Sequence, residues 1–233
     1  MKVMTAERWT GDDDPRGWWL SEKLDGVRAV WDGEVLKTRN GRRLNVPEWF
    51  TDGLPCDVWL DGELWMGRGR FEEVKGLIRR KVADWSEVLF MVFDSPDNEV
   101  WEDRLEVMRG LDLPDHVQVV EQRICAGVDD LERMECGIVD GGGEGVMLRR
   151  AGSYYVGGRS QHLQKMKRWQ DDEAEVLEIG KGVLICEWAG KVIKLASAGC
   201  DALVGDCVTF AYTGVHASGL PRHTQTIGVR DYE

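Results

Sequence analysis

Hydrophobic and polar positions divide the chain into short strand-like runs, a few helical periods and one long apolar run. Trp18-Trp19-Leu20 leads into Ser21-Glu22-Lys23. Val27 to Trp31 then runs to Asp32-Gly33, a hairpin-turn dipeptide, and Glu34 to Arg39 reads as the returning strand, closed by Asn40-Gly41. Asp57 to Trp65 is another strand, interrupted by Asp61-Gly62, where a bulge or a close ligand is expected. Val88 to Asp94 is continuously apolar up to its last residue, as expected of a buried central strand. Phe71, Val74, Leu77 and Ile78 recur at helical spacing and leave Lys75, Arg79, Arg80 and Lys81 on the other face, which predicts a helix over 71–81. Pro47 opens a short helix, Asp103 to Gly110 ends on a glycine stop, and Asp129 to Cys136 begins after Gly127. Val117 to Val120 and Glu144 to Arg149 read as strands, the second approached through Gly141-Gly142-Gly143. In the extended run Gln161 to Trp169, alternation puts Lys165 and Lys167 on one face.

The pattern changes at Asp171-Asp172-Glu173. Beyond it come five short strand candidates, 175–179, 183–188, 191–196, 206–212 and 226–229, with no helical period, which suits a small barrel of the OB kind. The expectation is an α+β chain: antiparallel sheets with helices over 1–169, then a small all-β OB-fold domain over 170–233.

A chain of 233 residues, 42% hydrophobic and 31% charged, suits one large or two small soluble domains. Neither an apolar leader nor a run approaching the roughly 18 apolar residues of a membrane span is present, so a cytoplasmic protein with no membrane partner is expected. The six cysteines form no Cys-x-x-Cys pair and the histidines lack zinc-ligand spacing, which points to reduced thiols. A net charge of -12 argues by itself against nucleic acid, because phosphate neutralisation by Lys and Arg dominates that binding. The distribution changes the picture. No acid occurs from Gly145 to Gln170, where Arg149, Arg150, Arg159, Lys165, Lys167 and Arg168 fall, and Lys37, Arg39, Arg42 and Arg43 form a second acid-free cluster. One basic face on an acidic body is the expectation.

The chemistry centres on Lys23-Leu24-Asp25-Gly26-Val27-Arg28, a Lys-x-Asp-Gly-x-Arg pattern. A lysine amine held in line with a leaving pyrophosphate can attack the α-phosphorus of a nucleoside triphosphate. Asp25 can orient it, Gly26 admits a ligand close to the backbone, and Arg28 supplies a fork for ribose or phosphate. Four further pieces place charge beside glycine or at strand ends: Asp61-Gly62-Glu63, Phe93-Asp94, Glu144-Gly145 and Lys165-x-Lys167.

In this order, with Lys23 first and a small barrel last, these motifs resemble the nucleotidyltransferase series of ATP-dependent DNA ligases. The stretches 19–29 and 60–65, Gly67-Arg68-Gly69-Arg70-Phe71-Glu72 and Phe90 to Asp94 are similar to the minimal bacterial and phage ligases of the Lig E kind. The resemblance implies that Lys23 is the nucleophile that forms lysyl-AMP, with Glu22 among the nucleotide-binding residues. It implies that Asp25 and Arg28 position the nucleotide and later the nick, Glu63 binds ribose and Phe93 stacks on adenine. Lys165 and Lys167 would grip the α-phosphate, Glu144 would support a catalytic Mg²⁺ or Mn²⁺, and Arg230 would lie over the pyrophosphate. Arg39 would contact phosphate near the nick, with Arg42, Arg43, Arg149 and Arg150 as further DNA contacts.

The implied partner is nicked duplex DNA, bound by a monomer. An RNA ligase or an mRNA-capping guanylyltransferase would share the lysyl-nucleotide chemistry, and a non-catalytic nucleic-acid-binding module would use the barrel and basic strip alone. Pro221-Arg222 is followed by His223-Thr224-Gln225-Thr226, where the family has an aromatic-proline pair, which leaves the division of roles between Arg222 and Arg230 open. With neither an added DNA-binding domain nor a long barrel insertion in the chain, DNA is expected to be held by the two domains themselves.

Overall fold

The computed structural model describes residues 2–80, 82–168, 170–197, 199–216, 218–222 and 224–229. The chain forms two compact units, Met1–Met166 and Lys167–Glu233.

In the first unit the order is β1 (Met4–Arg8), β2 (Trp19–Glu22), β3 (Val27–Trp31), β4 (Leu36–Thr38), α1 (Glu48–Thr51), β5 (Leu60–Trp65), α2 (Phe71–Ile78), β6 (Leu89–Asp94), α3 (Trp101–Gly110), β7 (Val117–Val119), β8 (Arg123–Ile124), α4 (Val128–Asp140), β9 (Val146–Arg149) and β10 (Gly158–Met166). Two five-stranded sheets result, ordered β1-β10-β9-β2-β8 and β4-β3-β5-β6-β7. Both are antiparallel except where β1 pairs with β10 and β6 with β7. Phe50, Val74, Leu77, Trp85, Phe90, Trp101, Leu105 and Met108 bury one face of the second sheet against the helices. Trp18, Leu20, Leu131, Ile138, Val146 and Leu148 make a separate core against α4. Each large apolar side chain fully buried in this way contributes on the order of 1.5–3 kcal/mol.

Several elements depart from the sequence pattern. Strand β6 alternates, with Phe90, Val92 and Asp94 buried and Leu89, Met91 and Phe93 half-buried, so its apolar run serves a core on one face and a cavity on the other. Strand β1 has no clean alternation and forms because β10 pairs with it. Helix α2 stops at Ile78, helix α4 continues to Asp140, and β10 ends at Met166, one residue before Lys167. Between β5 and β6 the register shifts at Asp61/Gly62, the bulge expected of an Asp-Gly within a strand.

The second unit is an antiparallel five-stranded sheet: β11 (Gln170–Gly180), β12 (Val183–Trp188), β13 (Lys191–Ala196), β14 (Cys207–Tyr212) and β15 (Gln225–Val229), in the order β13-β12-β11-β14-β15. It curls, and Thr226 Oγ1 on one edge strand donates to Ala196 O on the other at 2.5 Å. Val176, Leu184, Trp188, Leu195, Val208 and Phe210 fill it. Asp171, Asp172 and Glu173 belong to β11, paired with Ala211, Phe210 and Thr209, because a strand with one exposed face accepts acids there. Among the described residues, no helix is long and apolar enough to cross a membrane.

Candidate active site

A cavity of about 260 Å³ lies between the two sheets of the first unit, slightly under the roughly 300–1,000 Å³ usual for small-molecule sites. Ser21, Met147, Arg159 and Lys165 face it from one sheet, and Arg28, Glu63 and Phe93 from the other. Lys23 enters from the turn between β2 and β3, and the geometry of that turn is enforced locally. Its backbone N–H donates to Gly145 O at 2.8 Å. A Cβ at Gly26 would sit 2.2 Å from Leu64 O, so the turn can lie on β5 only with glycine there. The Lys23 ammonium forms an ion pair with Glu144, joining the β2 end to the loop before β9.

Opposite, Arg28 donates from Nε to Asp61 Oδ1 at 2.8 Å and from Nη2 to Asp61 Oδ2. Asp61 is fully buried and also accepts from Tyr155 Oη at 2.7 Å. Burial opposes the Arg28 charge, and Asp61 more than offsets it, so the guanidinium stays protonated above its ordinary range. Its carbon lies 5.2 Å from the Phe93 ring centroid, which leaves the aromatic face partly covered by a cation. Burial pushes Glu63 up to about 8, against the pull of Lys23 and Arg28. Burial and then the Lys23 charge hold Lys165 below the usual lysine range. A proton can therefore rest on Glu63 near neutrality, and the amines crowd a site prepared for anionic oxygen.

A buried ion cluster underlies this wall. Asp94 accepts from Arg104 Nε at 2.8 Å and pairs with Arg149 Nη2 at 2.7 Å, all three side chains being 6% exposed or less. Arg149 lies 4.3 Å from the Trp101 ring centroid. Arg149, expected among the exposed DNA contacts, is instead buried against Asp94 and reaches the cavity from the buried side. Arg39, Arg42 and Arg43 are exposed after β4, with Arg39 on the cavity wall. Arg150 packs over Trp18, 5.0 Å from its ring centroid, and sits 3.9 Å from Asp13. Asp25 is half-buried in the Lys23 turn. Glu22 lines the cavity with both carboxylate oxygens engaged by Arg68. Lys167, half-buried, falls in the second unit with Arg222, whose backbone N–H donates to Gly214 O at 2.8 Å. Arg230 lies outside the described residues.

Gln122 and Arg159 line the cavity, and Asp61, held by Tyr155, supports Arg28 from behind; the sequence pattern assigns none of the four a role at the nucleotide. Asp61 stands in a motif and Arg159 in the basic strip, whereas nothing local marks Tyr155 or Gln122.

The fold and cavity define the class: a nucleotidyltransferase domain of two sheets followed by an OB-fold domain. A DNA ligase of Haemophilus influenzae is 31% identical over 227 residues, 88% of this chain and 84% of the relative. The chain belongs to the DNA ligase family. A solved structure of a Lig E DNA ligase superimposes with a TM-score of 0.91 at 35% identity over 99% of both chains. A Chlorella virus DNA ligase-adenylate shares the fold, with a TM-score of 0.63 at 21% identity over 100% of this chain and 99% of that one. No family model matches.

Proposed function

We propose that the chain is an ATP-dependent DNA ligase that seals nicks between 5′-phosphate and 3′-hydroxyl ends in duplex DNA. The supporting observation is Lys23 on the wall of a cavity that also presents Arg28, Glu63, Phe93 and Lys165. In the first step the neutral Lys23 amine attacks the α-phosphorus of ATP, the bond to the bridging oxygen breaks, pyrophosphate leaves and the amine proton is lost, giving lysyl-AMP. A 5′-phosphate oxygen then takes the adenylyl group as the nitrogen–phosphorus bond breaks and the Lys23 nitrogen takes back a proton. Finally the 3′-hydroxyl attacks that 5′-phosphate, losing its proton, and AMP departs.

The chain's own work is positioning and charge neutralisation. Asp25 orients Lys23. Lys165, joined by Lys167, holds the α-phosphate, and Arg28, fixed by Asp61, faces ribose and later the nick. Glu63 hydrogen-bonds ribose and Phe93 stacks on the base, with Glu22 at the rim. Arg230 neutralises departing pyrophosphate. The carboxylate of Glu144 suits a hard cation such as Mg²⁺ or Mn²⁺. Mg²⁺ is commonly held by one or two carboxylates together with substrate phosphates. Such an ion supplies positive charge to phosphoryl oxygens when bound.

Arg39, Arg42, Arg43 and Arg150 would meet the phosphates of nicked duplex. Residues 1–169 form the adenylation domain and 170–233 the OB-fold domain in this reading, acting as a monomer in the cytoplasm. A mass spectrum after incubation with ATP and Mg²⁺ tests it: an adenylyl adduct on Lys23 that is chased by nicked DNA supports the assignment, and its absence refutes it. Labelled GTP giving the adduct in place of ATP would point to capping chemistry.

A further inference from the structure

The turn after β5, Gly67-Arg68-Gly69-Arg70, takes no part in these steps, yet one of its side chains ties three segments of the site together. Arg68 donates from Nε to Glu22 Oε1 and from Nη2 to Glu22 Oε2, both at 2.8 Å. This is a bidentate grip on the residue immediately before the nucleophile. Its remaining Nη1 donates to Gly141 O at 3.1 Å, at the first of three consecutive glycines. Where that loop ends, Gly145 O accepts the Lys23 backbone N–H at 2.8 Å. The 141–145 loop is thus fastened to Glu22-Lys23 at both ends, with Glu144 between. It also closes over the Glu22 carboxylate, since a Cβ at Gly143 would lie 2.9 Å from Glu22 Oε1. Helix α4 fixes the start of the loop, because the Gly141, Gly142 and Gly143 N–H groups donate to Gly137 O, Val139 O and Ile138 O at 3.2, 2.9 and 2.8 Å, and Arg68 ties that start to Glu22.

We infer that Arg68 is a positioning residue for adenylyl transfer: by holding Glu22 and Gly141 together it sets the Glu144 loop against Lys23. The inference rests on the reading of Lys23 as the nucleophile. The Arg68 and Glu22 side chains are 36% and 23% exposed, and pairs this accessible stabilise folds little. What the geometry supplies is register. All three nitrogens of the fork are committed within the protein, which leaves Glu22 at the cavity with its charge already answered.

The test uses the full chain and four variants: Arg68→Ala, Arg68→Lys, Glu22→Gln and the double variant Arg68→Ala with Glu22→Gln. Three quantities are read: amide hydrogen exchange over 141–145 without nucleotide, the single-turnover rate of lysyl-AMP formation, and the unfolding midpoint. Arg68→Ala should speed exchange in the loop and slow lysyl-AMP formation by about tenfold or more, the scale of a small misplacement of reacting groups. Its unfolding midpoint should stay within about 2 °C of the parent, as removal of a weak exposed pair requires. Glu22→Gln should behave likewise, and the double variant should be no slower than the slower single one. Arg68→Lys should reproduce the Arg68→Ala defect, because one ammonium cannot make two parallel bonds to Glu22 and reach Gly141. Unchanged loop exchange, full rescue by lysine, or additive losses in the double variant would each overturn the inference. Absence of lysyl-AMP in the unaltered chain would instead refute the ligase reading, before any variant is compared.

Discussion

The Lys23 ammonium is paired with the Glu144 carboxylate across 121 residues of sequence, and the Lys23 backbone N–H is bonded to the carbonyl of the next residue, Gly145. Nucleophile and acidic loop therefore form one unit with two attachments. The proposed adenylation chemistry starts from that pair.

Lys23→Ala should abolish the adenylyl adduct, while the variant should still seal a nick whose 5′ end already carries AMP. Intact mass after incubation with ATP, and gel analysis of a pre-adenylated substrate, read the two halves. A covalent label on the variant would refute the assignment of the nucleophile.

Phe93→Ala should raise the ATP concentration needed for half-maximal adenylation, by roughly 5- to 150-fold if the ring contributes the ~1–3 kcal/mol of one base–aromatic stack. Phe93→Trp should restore most of the loss. A similar rise with both would place the ring in the core and not against the base.

Glu63 is raised from 4.5 to about 8 by burial, so between those values the folded chain holds a proton that the unfolded chain has released. The stability this proton confers is full below pH 4.5 and is lost as pH rises through about 8. Every tenfold difference in proton affinity between the folded and unfolded chain is equivalent to about 1.4 kcal/mol. Denaturant titrations from pH 5 to 9 should show stability falling with pH by less in Glu63→Gln than in the parent. Parallel curves would show that Glu63 does not carry the dependence.

Asp94→Asn leaves Arg104 and Arg149 buried without their shared carboxylate, and it should cost about 3–5 kcal/mol in unfolding free energy, as breaking a buried pair does. Arg39→Ala should leave stability nearly unchanged, since Arg39 is exposed. Urea unfolding of the two variants distinguishes a buried cluster from a surface strip.

Binding to nicked duplex should weaken steeply with salt despite the net charge of -12. Removing Arg39, Arg42 and Arg43 should flatten the slope by about one for each phosphate that is no longer neutralised. A titration of the parent with no salt dependence would contradict the assignment of these side chains to the duplex.

Local pattern alone carried much of this protein. Lys-x-Asp-Gly-x-Arg, the hairpin dipeptide Asp32-Gly33, the helical period from Phe71 and the five closely spaced strands after residue 170 each depend on neighbours a few positions away. Backbone period and turn chemistry act over that range. Asp61-Gly62 also announced its bulge, because glycine within a strand weakens the ladder wherever the strand is placed. What the sequence left undecided is which side chains meet across the two sheets. Arg149 sits in an acid-free basic run, and only the pairing of β9 between β2 and β10 turns it inward to Asp94. Tyr155 carries no local mark at all, yet it donates to Asp61, 94 residues away. Phe93 falls in a run that reads as wholly buried, and the alternation of β6 sends it to the cavity while Phe90 and Val92 go to the core. A one-residue change of register would reverse those faces. Register and sheet order are fixed by contacts far apart in sequence, so the tertiary structure alone decided which charges are paired inside and which lie exposed.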